Sequence, residues 1–396
     1  MAFSENNQIL KQTQKLNFGP QHPAAHGVLR GVLTLKNEVI KNIEIHIGLL
    51  HRATEKLIEN KFNLQVFPYF DRLDYVSMLS EEHAFVLVCE KLAGIKISKK
   101  ISYSRMLIVE LTRVLNHLMG LTTHAIDIGA FTPFLWGFED REKLMELYEQ
   151  ISGARMHAAF FIPGDLRFII STNILVNINN FFLNFNERLN ELSELLSENP
   201  IWISRLKNVG IIDTEEILNY GFSGPIARSS GILIDIRKNF PYECYSNFNL
   251  QIPIGISPSQ NSDSLDRFYI RLWEMKESSN LILKLTKLLL TKNNILINNK
   301  TLLTNMENVI NHFKQYSTES VTSNQKTKST SVLIETPKGE FGCYATLKNN
   351  IFTKCYIRSS GFPHINYINI FNKETYLSDL VTLVGSLDLV FGEIDR

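Results

Sequence analysis

The stretch Leu29-Arg30-Gly31-Val32-Leu33-Thr34-Leu35-Lys36-Asn37-Glu38-Val39-Ile40-Lys41-Asn42-Ile43-Glu44-Ile45-His46-Ile47 alternates with a period of two. Leu29, Gly31, Leu33 and Leu35 share one side, and Val39, Ile43, Ile45 and Ile47 stand against Asn42, Glu44 and His46. Successive strand side chains point to opposite faces, so this pattern predicts two strands with one buried face, joined by a turn at Lys36-Asn37-Glu38. Downstream the period becomes helical. Met78, Phe85, Cys89 and Leu92 precede Gly94, and Leu107, Leu111, Val114 and Leu118 precede Gly120, which predicts two core helices ending at those glycines. A third helix is expected to start with Thr132 as cap and Pro133 at its first position, with Leu144, Leu147, Tyr148 and Ile151 facing the core and Glu139 to Lys143 facing water.

Farther along, an amphipathic region reaches about Ser197, and Gly210 to Pro258 is rich in Gly and Pro, which suits loops and short strands. Helix resumes near Asp263. Residues 291–330 turn polar, with Asn293, Asn294, Asn298 and Asn299, so a poorly packed excursion is expected there; strand signals return at Val332. The expected fold class is α+β, with an N-terminal antiparallel sheet, a central helical bundle and a C-terminal mixed segment returning to the first sheet. The expected divisions are 1–60, a β region with a loop rich in Gly, Pro and His; 61–200, the bundle; 201–330, mixed, with the polar excursion; and 331–396, the C-terminal segment.

Composition narrows the function. The 396 residues carry 44% hydrophobic and 20% charged side chains, a globular balance, and 41 basic against 40 acidic residues leave +1, too little to attract nucleic acid. The longest uncharged run, Phe168 to Asn186, contains six asparagines that hydrocarbon could not satisfy, so no transmembrane helix is read. Cys89, Cys244, Cys343 and Cys355 form no C-x-x-C pair, which argues against a disulfide scaffold, a zinc site or a thiolate-held cluster and suits a reducing compartment. Met1 to Lys15 lacks the features of a signal or organellar presequence, so the expectation is synthesis where the protein works.

Three short stretches concentrate chemistry. In Asn17-Phe18-Gly19-Pro20-Gln21-His22-Pro23-Ala24-Ala25-His26-Gly27, two histidines sit in a Gly- and Pro-shaped loop; Pro23 disfavours helix at His22, so this is not a helical metal-ligand pair. The plainer reading is a shaped turn whose histidines satisfy local backbone. Tyr69-Phe70-Asp71-Arg72-Leu73-Asp74-Tyr75 crowds two acids, an arginine and two phenols at the start of a core helix. Asp71 or Asp74 could simply cap that helix and Arg72 could pair with either. Tyr75, however, combines a hydrogen-bond donor with an apolar ring face suited to a flat ligand. Asp127 puts a carboxylate in an apolar linker, where a buried charge needs a partner such as histidine.

These stretches, with His51 to Lys56, Pro68 to Met78, Asp127 to Phe134, Ser152 to His157, Glu335 to Gly342 and Asp388 to Arg396, resemble in order and over nearly the whole chain the quinone-site (49 kDa) subunit family of respiratory complex I. That family shares its fold with the large subunit of nickel-iron hydrogenases, but the cysteine pairs that hold nickel and iron there have no counterpart here, so no metal of its own is expected. The resemblance implies the inner end of a ubiquinone tunnel, built with a neighbouring subunit that carries the terminal iron-sulfur cluster. It implies that His26 and Tyr75 hydrogen-bond the quinone head group, with Asp127 as the partner of His26. It also implies that Arg52, Arg72 and His157 lie near the neighbour's cluster and that Asp388, Val390 and Arg396 line or seal the cavity.

The other implied partners are further complex I subunits, among them the membrane-arm quinone-channel subunit. The implied location is the matrix side of the mitochondrial inner membrane, favoured over a bacterial cytoplasmic face by a composition resembling an AT-rich genome. Ala53 stands where the family has glycine, Asp165 where a second glycine is usual, and the Asn-rich stretch after Thr291 follows no family pattern. Two alternatives remain: a hydrolase using a His26 and Asp127 dyad, which lacks a G-x-S-x-G nucleophile, and a scaffold whose complex reduces quinone elsewhere.

Overall fold

A computed structural model describes residues 13–22, 27–255, 262–292, 306, 310, 327–348, 351–370 and 375–396. His26 and most of the polar excursion lie outside the described residues. Strands β1 (Gln14–Phe18), β2 (Arg30–Lys36) and β3 (Val39–His46) form an antiparallel sheet. Asn37 and Glu38 both have positive φ, 52° and 66°, the left-handed pair that matches a two-residue hairpin loop to strand twist. Leu29, Gly31 and Leu33 are buried as the alternation required. A bulge between Thr34 and Leu35 makes Ile40 and Ile43 the buried residues of β3, and Ile47 lies past the strand end in solvent.

Helices α1 (Thr54–Ile58) and α2 (Asn63–Phe70) lead to α3 (Met78–Ala93), which is buried on nearly every face, and α4 (Lys99–Ile128). The expected stop before Gly120 is not made: α4 continues to Ile128 and ends at Gly129, φ 103°. Gly120 serves close approach instead. A Cβ there would stand 3.2 Å from the Asp388 carboxylate, so the glycine admits that side chain to the helix surface. Asp127 is consequently in the last turn of α4 and not in a linker.

The third helix, α5 (Phe131–Ser152), starts two residues early with Ala130 as N-cap, leaving Thr132 and Pro133 inside its first turn. Pro133 is tolerated there because first-turn amides have no intrahelical acceptor. The long uncharged run falls in α6 (Thr172–Ser197), whose buried Leu175, Ile178, Phe182, Phe185, Leu189, Leu192 and Leu196 follow helical spacing. No described helix is long and apolar enough to cross a membrane.

A two-strand ribbon, β4 (Phe161–Ile162) and β5 (Asp165–Leu166), precedes α6, and short helices α7 (Pro200–Leu206), α8 (Thr214–Tyr220), α9 (Pro225–Ser229) and α10 (Ile236–Asn239) follow it. Helix α11 (Ser264–Lys292) then packs along α4 and α6. Strands β6 (Lys328–Thr336), β7 (Gly339–Lys348) and β8 (Ile351–Arg358) make a second antiparallel sheet against α3. After α12 (Gly361–Ile370), β9 (Thr375–Tyr376) pairs with β3, so the chain does return to its first sheet. Helices α13 (Leu377–Leu387) and α14 (Phe391–Asp395) end the chain against α4 and α12.

One apolar core joins α2 to α6, α11 and the second sheet, and another joins the first sheet, α8, α9 and the C-terminal helices. The C-terminal helix is pressed onto the Arg72-Leu73 backbone: a Cβ at Gly392 would run into the Leu73 carbonyl oxygen. Gly392→Ala should therefore lower unfolding stability by ~1–3 kcal/mol, read as a lower urea midpoint of the purified chain. An unchanged midpoint would show that this contact has slack.

Candidate functional site

The two-residue turn Pro337-Lys338 between β6 and β7 is wedged against the segment before α9. A Cβ on Gly224 would lie 2.5 Å from the Gly339 Cα, and Ser223 Oγ accepts from the Glu340 amide at 2.9 Å. Held this way, the turn drives Lys338 inward, leaving it 4% exposed. Its Nζ lies 2.8 Å from Asp74 Oδ2 and 3.7 Å from Asp388 Oδ2, and it donates to Asn116 Oδ1 on α4. Asn116 Nδ2 donates to Asp388 at 2.9 Å. Burial alone would push the ammonium's pKa down, but Asp388 and Asp74 outweigh it and hold the pKa above the ordinary lysine value. Burial likewise raises the Asp388 pKa, yet Lys338, Arg271 and the Asn116 bond bring it below the carboxylate norm.

Around Asp74 the carboxyl groups crowd. Asp74, Glu81 and Glu393 are all buried and offer oxygens within 4.8 Å of one another. The Asp74 amide donates to Glu81 Oε2 at 2.8 Å, the Val76 amide and Ser77 hydroxyl donate to Asp74, and Glu393 accepts from the Ser360 amide and hydroxyl. Burial, followed by Glu393 and Asp74, lifts Glu81 well above the carboxylate range; burial, followed by Asp74, lifts Glu393 to about 7. Three ionised carboxylates beside one ammonium would leave buried net charge, so Glu81 and Glu393 hold protons at pH values where a free carboxyl has lost them. Tyr75 stands half-buried beside this group. Burial and then Asp74 raise its phenol pKa, with Asp388 adding and Lys338 opposing.

The predicted residues thus divide. Tyr75 adjoins Asp74, which shares the Lys338 ammonium with Asp388, and Val390 is buried two residues past Asp388 as N-cap of α14. Asp127 lies beside α13: a Cβ on Gly385 would be 3.1 Å from Asp127 Oδ2 and 2.7 Å from the His124 ring, so that glycine lets the helices meet. Arg52, Arg72 and His157 gather on the backbone of residues 68–72. Arg52 donates to the Arg72 carbonyl at 2.7 Å, Arg72 to the Pro68 carbonyl at 2.9 Å, and His157 Nδ1 lies 2.8 Å from the Asp71 carbonyl. Asp71 and Asp74 do not cap α3, whose N-cap is Ser77; Asp71 is buried, accepts from the Ala159 amide at 2.7 Å and fixes the His157 segment. Ala53 adopts φ 54°, ψ 41°, the left-handed conformation that glycine takes more readily. Arg396 points to β8, donating to the Ile357 carbonyl at 2.6 Å.

Sequence reasoning missed Lys338, Asn116, Glu81 and Glu393. Lys338 was inside the quoted Glu335 to Gly342 motif, but a lysine in a tight turn reads as solvated; Glu81 and Asn116 lie on apolar helices, where such a residue is the available signal. Deeper in, Arg228 ties Glu274 (Nε–Oε1 3.0 Å) to Glu335 (2.8 Å), Glu274 meets His117 at 2.9 Å, and Arg237 joins Asp235 to Glu110. This ionic layer fastens α4, α9 and α11 to β6 behind the site.

Comparison with known proteins accounts for this architecture. Residues 127–396 match the family described as respiratory-chain NADH dehydrogenase, 49 Kd subunit. The chain is 48% identical over 390 residues to the NADH-ubiquinone oxidoreductase 49 kDa subunit of Acanthamoeba castellanii, covering 96% of this chain and 95% of that one. The Reclinomonas americana protein of the same name is 46% identical, covering 96% of each chain. The NADH dehydrogenase [ubiquinone] iron-sulfur protein 2 of Nephroselmis olivacea is 44% identical over the full length of both. Fold and likeness together define a subunit of an oxidoreductase complex. The chain belongs to the 49 kDa subunit family of complex I, and its partners are other subunits of that complex.

The Glu393 assignment sets a pH dependence. With a folded-state pKa of about 7 against an ordinary 4.5, the folded chain holds a proton that the unfolded chain has lost between those values. Stability from this group is fully present below 4.5 and is lost as pH rises to about 7, on the order of 3 kcal/mol for the full shift. Glu393→Gln should flatten the unfolding free energy across that window. The same slope in the variant would remove Glu393 as the titrating group.

Proposed function

We propose that this chain forms the ubiquinone-reduction site of a proton-translocating NADH:ubiquinone oxidoreductase, beside a neighbouring subunit's terminal iron-sulfur cluster. The observation that carries the reading is the convergence of Asp74 and Asp388 on the buried Lys338 ammonium, at 2.8 and 3.7 Å, with Tyr75 immediately after Asp74 in the chain. A quinone that accepts two electrons gathers negative charge on its oxygens, so a donor placed there stabilises the reduced form and can pass it a proton. Tyr75 supplies one donor with a ring face for the flat head group, and His26, with Asp127 as its partner, supplies the other. Asp388 and Val390 complete the cavity wall.

Arg52, Arg72 and His157 form the face toward the neighbour's cluster, where positive charge favours its reduced state. Their donors to backbone carbonyls of the 68–72 segment support the reading, since Tyr75 lies three residues beyond that segment. The chain supplies no metal of its own; the membrane-arm quinone-channel subunit closes the tunnel, and the complex sits on the matrix side of the mitochondrial inner membrane. Both rival readings weaken on the site's composition. The serines of the cluster, Ser77 and Ser360, are buried with their hydroxyls donating to Asp74 and Glu393, so neither presents a nucleophile to a substrate, and a bare scaffold has no use for a half-buried phenol among buried charges.

Tyr75→Phe keeps the ring and removes one hydroxyl. In the assembled complex it should slow ubiquinone reduction about threefold to tenfold, the worth of one hydrogen bond, while NADH oxidation by an artificial acceptor is unchanged. Wild-type kcat and KM for short-tail quinones would overturn the assignment. Asp127→Asn and His26→Ala should each slow quinone reduction, and the double variant should lose little more than the worse single one, because a coupled pair loses its shared interaction once. Fully additive losses would dissolve that pair.

A further inference from the structure

We infer that Lys338 is a positioning residue for quinone reduction: its ammonium, gripped by Asp74, Asp388 and Asn116, stabilises the phenolate that Tyr75 becomes when it gives its proton to the substrate. The inference rests on the reading of Tyr75 as quinone donor. In that step two electrons from NADH reach the ring, the Tyr75 O–H bond breaks and its proton passes to one quinone oxygen, while the other oxygen takes the second proton from the His26 side to give the neutral quinol. The bonding pair stays on the phenol oxygen, which regains a proton from water before the next turnover.

A phenolate created in a half-buried site needs a nearby positive charge. The charged and titratable groups facing Lys338 are Asp74 in the loop before α3, Glu81 on α3, Asp388 after α13 and Glu393 on α14, with Tyr75 itself; Arg271 and His117 act behind Asp388. Tyr75 follows Asp74 in the chain, and the Lys338 ammonium stands 2.8 Å from the Asp74 carboxylate; Asp74 and Asp388 oppose ionisation of the phenol and Lys338 favours it. The ammonium cannot swing away, because the turn carrying it is locked by the Gly224 and Gly339 contact and its donors are engaged on α4 and two loops. Protons retained on Glu81 and Glu393 keep those two carboxyls from adding to the negative charge that Asp74 and Asp388 already set against it.

The test is turnover of the assembled complex with short-tail ubiquinone, normalised to NADH oxidation by an artificial acceptor. Lys338→Met should lower kcat roughly tenfold or more with little change in KM, about the effect of one unit in the phenol's acidity. Lys338→Arg should restore most of the rate. In a Tyr75→Phe background, Lys338→Met should add little, because the lysine acts through the phenol. If Lys338→Met does not assemble, Lys338→His decides: its activity relative to wild type should fall as pH rises through about 6.5, where the imidazole loses its charge.

Unchanged kcat in Lys338→Met, the same loss with and without Tyr75, or a pH-independent ratio in Lys338→His would overturn the inference. If Tyr75→Phe slows the enzyme and Lys338→Met does not, the Lys338 role alone falls. If Tyr75→Phe is itself silent, the quinone reading falls first.

Discussion

A lysine ammonium carried out of water must find anions, and the place where Lys338 finds them organises this chain. Breaking a buried ion pair by removing one partner costs about 3–5 kcal/mol, because the abandoned charge stays in a poor dielectric. Asp74, Asn116 and Asp388 therefore have to arrive together around Nζ, and they come from the loop before α3, the middle of α4 and the turn after α13. The requirement couples the second sheet, the helical core and the C-terminus.

Small residues make that convergence possible. Gly120 opens the face of α4 to Asp388, Gly385 lets α13 lie against the His124 and Asp127 turn, Gly392 sets α14 on the Leu73 carbonyl, and Gly224 receives the hairpin tip. Each works by lacking a Cβ where two backbones or a backbone and a carboxylate meet. The ionic layer of Arg228, Glu274, His117 and Glu335 repeats the logic one step deeper, holding α4, α9 and α11 to β6 so that the Lys338 turn has a rigid base.

The chemistry follows from the same crowding. Where acidic groups outnumber the cation, some must stay protonated, and the Asp74, Glu81 and Glu393 group is such a place next to a phenol. In the proposed quinone site, a donor whose acidity is set by fixed charges has an advantage, since these need not reorganise during the reaction. The arrangement of Arg52, Arg72 and His157 on the backbone of the same loop links that donor to the face proposed to meet the neighbouring subunit.

The fold class, the first hairpin, the return of the chain to β3 and the family were legible from the sequence, because alternation, helical spacing and the motifs around His26, Tyr75 and Asp388 are local patterns. Tyr75, Asp127 and Asp388 were legible as candidates for the same reason. Local pattern misjudged Gly120 and Asp127: a glycine inside a helix looks like its end unless the carboxylate that fills its place, 268 residues away, is known. Lys338, Glu81, Glu393 and Asn116 came together as a buried cluster only in three dimensions. Burial and the sum of neighbouring charges decide whether a lysine is a solvated turn residue or a buried, ion-paired cation, and both are properties of the packed chain.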